Sequence, residues 1–141
     1  MDLVERALHL WTEPIPAGDA GQAAFRAVYA DPLPVNGTLT PLADVVARAR
    51  MLQGALDGLK AEVLEKVETE HRIAFAFRMS GRHRGALATP LGDVPPTGHD
   101  VSVLGMDIFQ VVDGLIAGVW AVADLLGPLA AASAVTLTSP T

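Results

Sequence analysis

Residues 99–124, HDVSVLGMDIFQVVDGLIAGVWAVAD, decide the fold. Two apolar runs meet at Asp113-Gly114, and Asp-Gly supplies the positive φ that a tight hairpin turn requires, so the stretch reads as two long strands. Side chains alternate along a strand. Gly118, Trp120, Val122 and Asp124 therefore share one side and Ala117, Val119, Ala121 and Ala123 the other. On the incoming strand Met106, Ile108 and Gln110 alternate with Asp107, Phe109 and Val111. Both faces are largely apolar, which predicts that both are covered. A carboxyl close to that much apolar surface is raised in pKa by desolvation, which makes it useful as a general acid or base near neutral pH.

Upstream, Ile73, Phe75, Phe77 and Met79 alternate with Ala74, Ala76 and Arg78, the pattern of another strand with one apolar face. Leu59, Ala61 and Val63 begin a further strand, and Glu65, Lys66, Glu68 and Glu70 predict that its far end is solvated. The region before Gly58 is helical in period. Leu3, Ala7, Leu10 and Trp11 follow a cap at Asp2 with Glu5 in the first turn. Gly18-Asp19 opens a second helix with a stripe of Ala23, Ala24, Ala27 and Val28, ended by Tyr29. Thr40-Pro41 opens a third with Leu42, Val45, Val46, Ala49 and Leu52. Between the last two, Asp31 to Gly37 reads as a loop because its prolines deny ladder donors and helical continuation. GRHRG at 81–85 reads as a loop or strand edge, and TPLGDVPPTG at 89–98 as a connection placed to overhang a pocket mouth. Residues 129–141 lack periodicity and are expected to be a flexible tail of a single domain, 1–141.

Composition excludes several functional classes. The chain has 141 residues, a net charge of −6 and no cysteine. The negative charge and the absence of a basic cluster with interleaved aromatics argue against nucleic-acid binding. A thiolate metal site, a disulfide and a Cys nucleophile are excluded outright. No His pair has zinc-ligand spacing: His9 lacks a second His four residues away, and His71 and His99 flank strands. Ser80, Ser102 and Thr97 lack a nearby His-plus-acid arrangement, and the glycines match no phosphate-cradling loop. No apolar run of about 18 residues is present to span a membrane. The opening MDLVERALHL lacks the basic and apolar segments of a signal peptide, so a cytoplasmic protein is expected.

Helices followed by antiparallel strands give an α+β arrangement, with three N-terminal helices packed in the concave face of a curled antiparallel sheet, an α+β cone barrel. In this order the segments Gly18-Asp19, YADP at 29–32, GRHRG at 81–85, VPPTG at 94–98, GMDIF at 105–109, VVDG at 111–114 and the pair Trp120 and Asp124 stand across nearly the whole chain. The succession resembles the SnoaL-like polyketide cyclase family, which shares the cone fold of ketosteroid isomerase and scytalone dehydratase. The resemblance implies an enzyme of natural-product biosynthesis without cofactor or metal, closing a ring of an apolar polycyclic or oxygenated small molecule by an intramolecular aldol reaction. It implies Asp124 as the acid/base, with His83 and Asp107 as further catalytic candidates and Trp120, Gln110, Arg78, Tyr29 and Met106 as substrate contacts. An epoxide-opening enzyme and a non-catalytic small-molecule binding protein are the alternatives on the same fold. The chain departs from the family pattern at Gly118-Val119, where relatives commonly carry an acid or His, and at Ala130-Ala131-Ala132-Ser133, which replaces a Gln-Leu-Gly ending.

Each candidate has a plainer reading. Asp124 is placed to cap the helix-like end Leu125-Leu126-Gly127, Trp120 to be a pocket wall and core residue together, and His83 to pack an arginine. Asp107 is placed to pair with Arg78 or Arg82. Of the two apolar faces of the long hairpin, one fills the cone and the other requires a cover. That predicts a twofold homodimer packed sheet to sheet.

Overall fold

The computed structural model describes residues 1–140. Helix α1, Leu3–Thr12, begins on a capping box in which Asp2 accepts the Glu5 N–H at 2.9 Å and Glu5 accepts that of Asp2 at 2.9 Å. Helix α2, Asp19–Arg26, is shorter than the spacing predicts, and its buried stripe is Gly21 and Phe25. Val28 and Tyr29 are also buried but lie beyond the helix, while Ala23 and Ala27 face outward. Ala30 N–H donates to Ile116 O and Ile116 N–H to Val28 O, each at 2.9 Å, so the chain at Tyr29 is pulled straight along a sheet strand.

The expected loop at 31–37 contains instead the first strand of a hairpin, β1 Leu33–Val35, paired with β2 Thr38–Thr40. Its turn is Asn36-Gly37, with φ of +51° and +83°, the geometry for which Asn-Gly is suited. Proline is tolerated because β1 is barely laddered on its other side, meeting the central sheet in parallel only at Val35 and Val119. Helix α3, Leu42–Ala55, follows, and its first N–H is taken by the Asp31 carboxylate at 3.0 Å rather than by Thr40, whose hydroxyl donates to Thr38 O.

Four long strands follow: β3 Leu56–Glu68, β4 Arg72–His83, β7 Asp100–Val112 and β8 Leu115–Ala123, with the small hairpin β5 Leu87–Thr89 and β6 Gly92–Val94 inserted before β7. Gly81, Arg82 and His83 belong to β4, not to a loop, and the expected connection at 89–98 contains most of the small hairpin. The main sheet runs β2-β1-β8-β7-β4-β3. The hairpin at 99–124 forms as read, its turn residues Asp113 and Gly114 having φ of +51° and +76°. One bulge, between Gln110 and Val111, shifts its register near the turn.

The odd-numbered residues of β4, Ile73 to Met79, and Phe109 of β7 point into the concavity and are buried against α1, α2 and α3. A fourth helix, α4 Leu126–Ala131, extends the helix-like end read at Leu125-Leu126-Gly127 into residues expected to be a tail. Its Leu129 packs with Ala55, Leu56, Leu87, Val94, Val101 and Val103 in a second apolar cluster at one end of the sheet. Leu129 and Ala132 of the expected tail are thus buried, and Thr141 lies outside the described residues. The fold is the expected α+β cone with one helix more.

Candidate functional site

A cavity of about 340 Å³ lies between the helices and the concave face of the sheet. Helical spacing brings Ala7, Leu8 and Trp11 of α1 and Val45, Arg48 and Leu52 of α3 to one wall. Strand alternation brings Phe77 and Met79, Asp107 and Phe109, and Val119 and Ala121 to the opposite wall. Apolar side chains dominate both walls. The two charged residues among the lining are Asp107 and Arg48.

Asp107 is held in the middle of β7. Its register partners are Phe75 on β4 and Ala121 on β8, neither of which offers a donor from its side chain. The carboxyl is partly buried and makes no side-chain hydrogen bond or ion pair among the described residues. Burial alone pushes its pKa up from 3.8 to about 7. The Arg82 that was expected to pair with it reaches Asp100 instead, at 3.9 Å, and Arg78 lies on the outer face beside Glu62. Across the cavity lining stands Tyr29, buried, its ring stacked 5.9 Å from that of Phe25. The Tyr29 hydroxyl accepts the Trp11 Nε1–H at 3.0 Å, which leaves its own proton free to be donated. Its pKa is driven upward, first by burial and further by the Asp107 charge, with the Trp11 hydrogen bond opposing. A neutral phenol and a carboxyl that titrates near neutrality therefore share one largely apolar cavity.

The other candidates lie elsewhere. Asp124 follows the last residue of β8, outside the cavity lining; it is exposed, and its carboxylate accepts the Gly127 N–H at 3.1 Å. The reason is the end of the strand: past Ala123 the alternation stops, and the carboxylate satisfies a backbone donor in the first turn of α4. His83 is fully buried, with Nδ1 3.1 Å from Thr97 Oγ1 and accepting the Thr97 N–H, while Nε2 has no partner. It too is outside the lining. Trp120 is 61% and Met106 57% exposed on the convex face, so Trp120 is neither core nor wall of this cavity. Gln110 and Trp120 border a separate shallow hollow of about 100 Å³ with Arg72, and Arg78 is exposed. Of the expected residues, Asp107 and Tyr29 are brought together and Asp124, His83, Trp120, Gln110, Arg78 and Met106 are not.

Three lining residues with polar or charged side-chain groups were not singled out from the sequence as site residues. Trp11 was visible only as part of an apolar stripe, and Arg48 follows from the Val45, Arg48, Leu52 spacing. Asn36 has no pattern: it sits at the β1–β2 turn, where its side chain accepts the Ala121 N–H at 2.7 Å and donates to Ala121 O at 3.2 Å, tying that turn to β8. Among the described residues no group of three His, Asp or Glu side chains is placed to hold a metal ion, and no helix is long and apolar enough to cross a membrane.

Comparison with solved structures finds the same architecture. TsrD from Streptomyces laurentii superposes with a TM-score of 0.77 at 22% identity, over 94% of this chain and 93% of that one. AclR from Streptomyces galilaeus, provisionally named a hydroxylase, gives 0.73 at 19% identity over 95% of each. A SnoaL-like polyketide cyclase from Agrobacterium tumefaciens gives 0.66 at 18% identity, over 89% of this chain and 94% of that one. No curated protein matches the chain. The family model described as SnoaL-like polyketide cyclase matches residues 9–132, and the chain belongs to that family.

Proposed function

We propose that this chain is a cofactor-independent cyclase of natural-product biosynthesis, acting on an apolar, polyketide-like substrate, with Asp107 rather than Asp124 as its acid/base. The observation that carries the reading is the position of Asp107, the one carboxyl lining an apolar cavity, with its pKa pushed up to about 7. A base of that strength is matched to operation near neutral pH. In the proposed reaction the Asp107 carboxylate takes a proton from the carbon next to a substrate carbonyl. The C–H electron pair is delocalised onto the carbonyl oxygen as an enolate, to which the Tyr29 hydroxyl donates a hydrogen bond. The carbon then attacks a second carbonyl of the same molecule, forming the C–C bond of the ring. The alkoxide so produced takes the proton back from Asp107, and the enzyme is regenerated. The chain's residues orient, exclude water and move one proton.

A cyclic ketone such as 2-tetralone tests the proton step without knowledge of the natural substrate. Deuterium incorporation next to its carbonyl in D2O, followed by NMR, should be accelerated by the wild-type protein and by Asp124→Asn, and reduced to the background rate in Asp107→Asn. Acceleration that survives in Asp107→Asn and is lost in Asp124→Asn returns the role to the terminal acid.

We further propose that the protein is a homodimer packed through the convex face of the sheet. Leu104, Met106 and Ile108 of β7 and Trp120 and Val122 of β8 form that face and are each between 42% and 71% exposed. A contiguous apolar surface of this kind marks a contact site, and a second copy of the same chain offers the matching face.

A further inference from the structure

We propose that the cavity selects substrates carrying an anionic group, a carboxylate or its equivalent, seated on Arg48, an inference that rests on the cyclase reading of the same cavity. Arg48 lies on the stripe of α3 that faces the cavity, one turn from Val45 and one turn from Leu52, both of which line it. The neighbouring Arg50 is committed to structure, donating to Pro16 O at 2.8 Å. Arg48 lines the cavity while remaining exposed, and it has no such employment: among the described residues its guanidinium makes no hydrogen bond and no ion pair, although Asp44 stands one turn away on the same helix. A five-donor fork with no protein acceptor, in the lining of a largely apolar cavity, suits a planar carboxylate. Arg48 on α3 and Asp107 on β7 reach the cavity lining from different elements. A ligand that reaches both presents its anion to Arg48 and a carbonyl-bearing carbon to Asp107. The anion at one end would then fix which carbon of an apolar skeleton meets the base.

The probes are anthracene-2-carboxylate and anthracene-2-carboxamide, which share ring size and differ in charge. Trp120→Phe leaves Trp11, in the cavity wall, as the reporter whose emission the bound anthracene quenches. At about pH 6 the probe acid is ionised while Asp107 is mostly neutral. The carboxylate should bind roughly tenfold more tightly than the carboxamide, as expected for one charge-assisted contact. Arg48→Gln should abolish that preference while leaving carboxamide binding unchanged, and Arg48→Lys should keep part of it. Equal binding of both probes to the wild-type site, or a preference that survives Arg48→Gln, overturns the anion assignment and leaves the cyclase reading standing. Failure of both probes to quench Trp11 overturns the cavity as a binding site, and both readings with it.

Discussion

Asp107 converts its burial into a pH dependence of stability as well as of chemistry. Its carboxyl has an ordinary pKa of 3.8 and a folded pKa of about 7. Between those values the folded protein holds a proton that the unfolded chain releases, so this group's contribution to stability is full below about pH 4 and is lost as pH rises toward 7. The loss is at most roughly 4 kcal/mol for three units. Asp107→Asn removes the penalty: its melting temperature should match wild type at about pH 4 and exceed it above pH 7, by several degrees on the usual scaling. Equal melting temperatures at about pH 8 would show the carboxyl to be already solvated. The sequence displayed this residue in an alternating strand and left open which of two acids a cavity would desolvate. Alternation tells which side chains share a face but not which face the helices cover. Asp124 had the motif, yet it stands one residue past β8, where a free backbone N–H claims its carboxylate.

At the scale of elements, what the sequence revealed depended on how local the determinants were. The Asp113-Gly114 turn, the capping box of α1 and the Phe-rich face of β4 are each set by residues a few positions apart, and each forms as read. In the β1–β2 hairpin the prolines masked the local Asn36-Gly37 turn signal, and α4 was legible only as a helix-like end; both also draw support from afar. Asn36 is tied to Ala121 on β8, and Leu129 fills a cluster built from five other elements or their connections. Gly105 is a local feature with a distant cause. It faces Phe77 across the β4–β7 ladder, and a Cβ there would run into the Phe77 ring. Gly105→Ala should therefore lower stability by about 1–3 kcal/mol, the usual cost of overpacking. Because Phe77 lines the cavity, the displaced ring should also weaken anthracene-2-carboxamide binding. A variant with wild-type melting temperature and binding would mean that the ring turns aside without loss.

The whole molecule leaves its convex sheet face apolar. Leu104 is 46% exposed there, whereas its neighbour Val103 is buried in the concavity. The two positions separate assembly from folding. Leu104→Glu should dissociate the proposed dimer to a species near 14.7 kDa by light scattering while keeping its secondary structure; Val103→Glu should unfold the chain. A wild-type monomer at micromolar concentration would rule the dimer out. Such an assembly would cover the convex face while Asp107 stays on the concave side, with Val122 bordering both.

The titration of Asp107 itself tests most directly the claim that an apolar cavity tunes one carboxyl for proton transfer. In protein carrying 13C at the Asp side-chain carboxyl, the resonance that disappears in Asp107→Asn identifies the group, and its shift is followed against pH. A midpoint near 7 is predicted. A midpoint near 4, the value of a solvated Asp, would contradict the account.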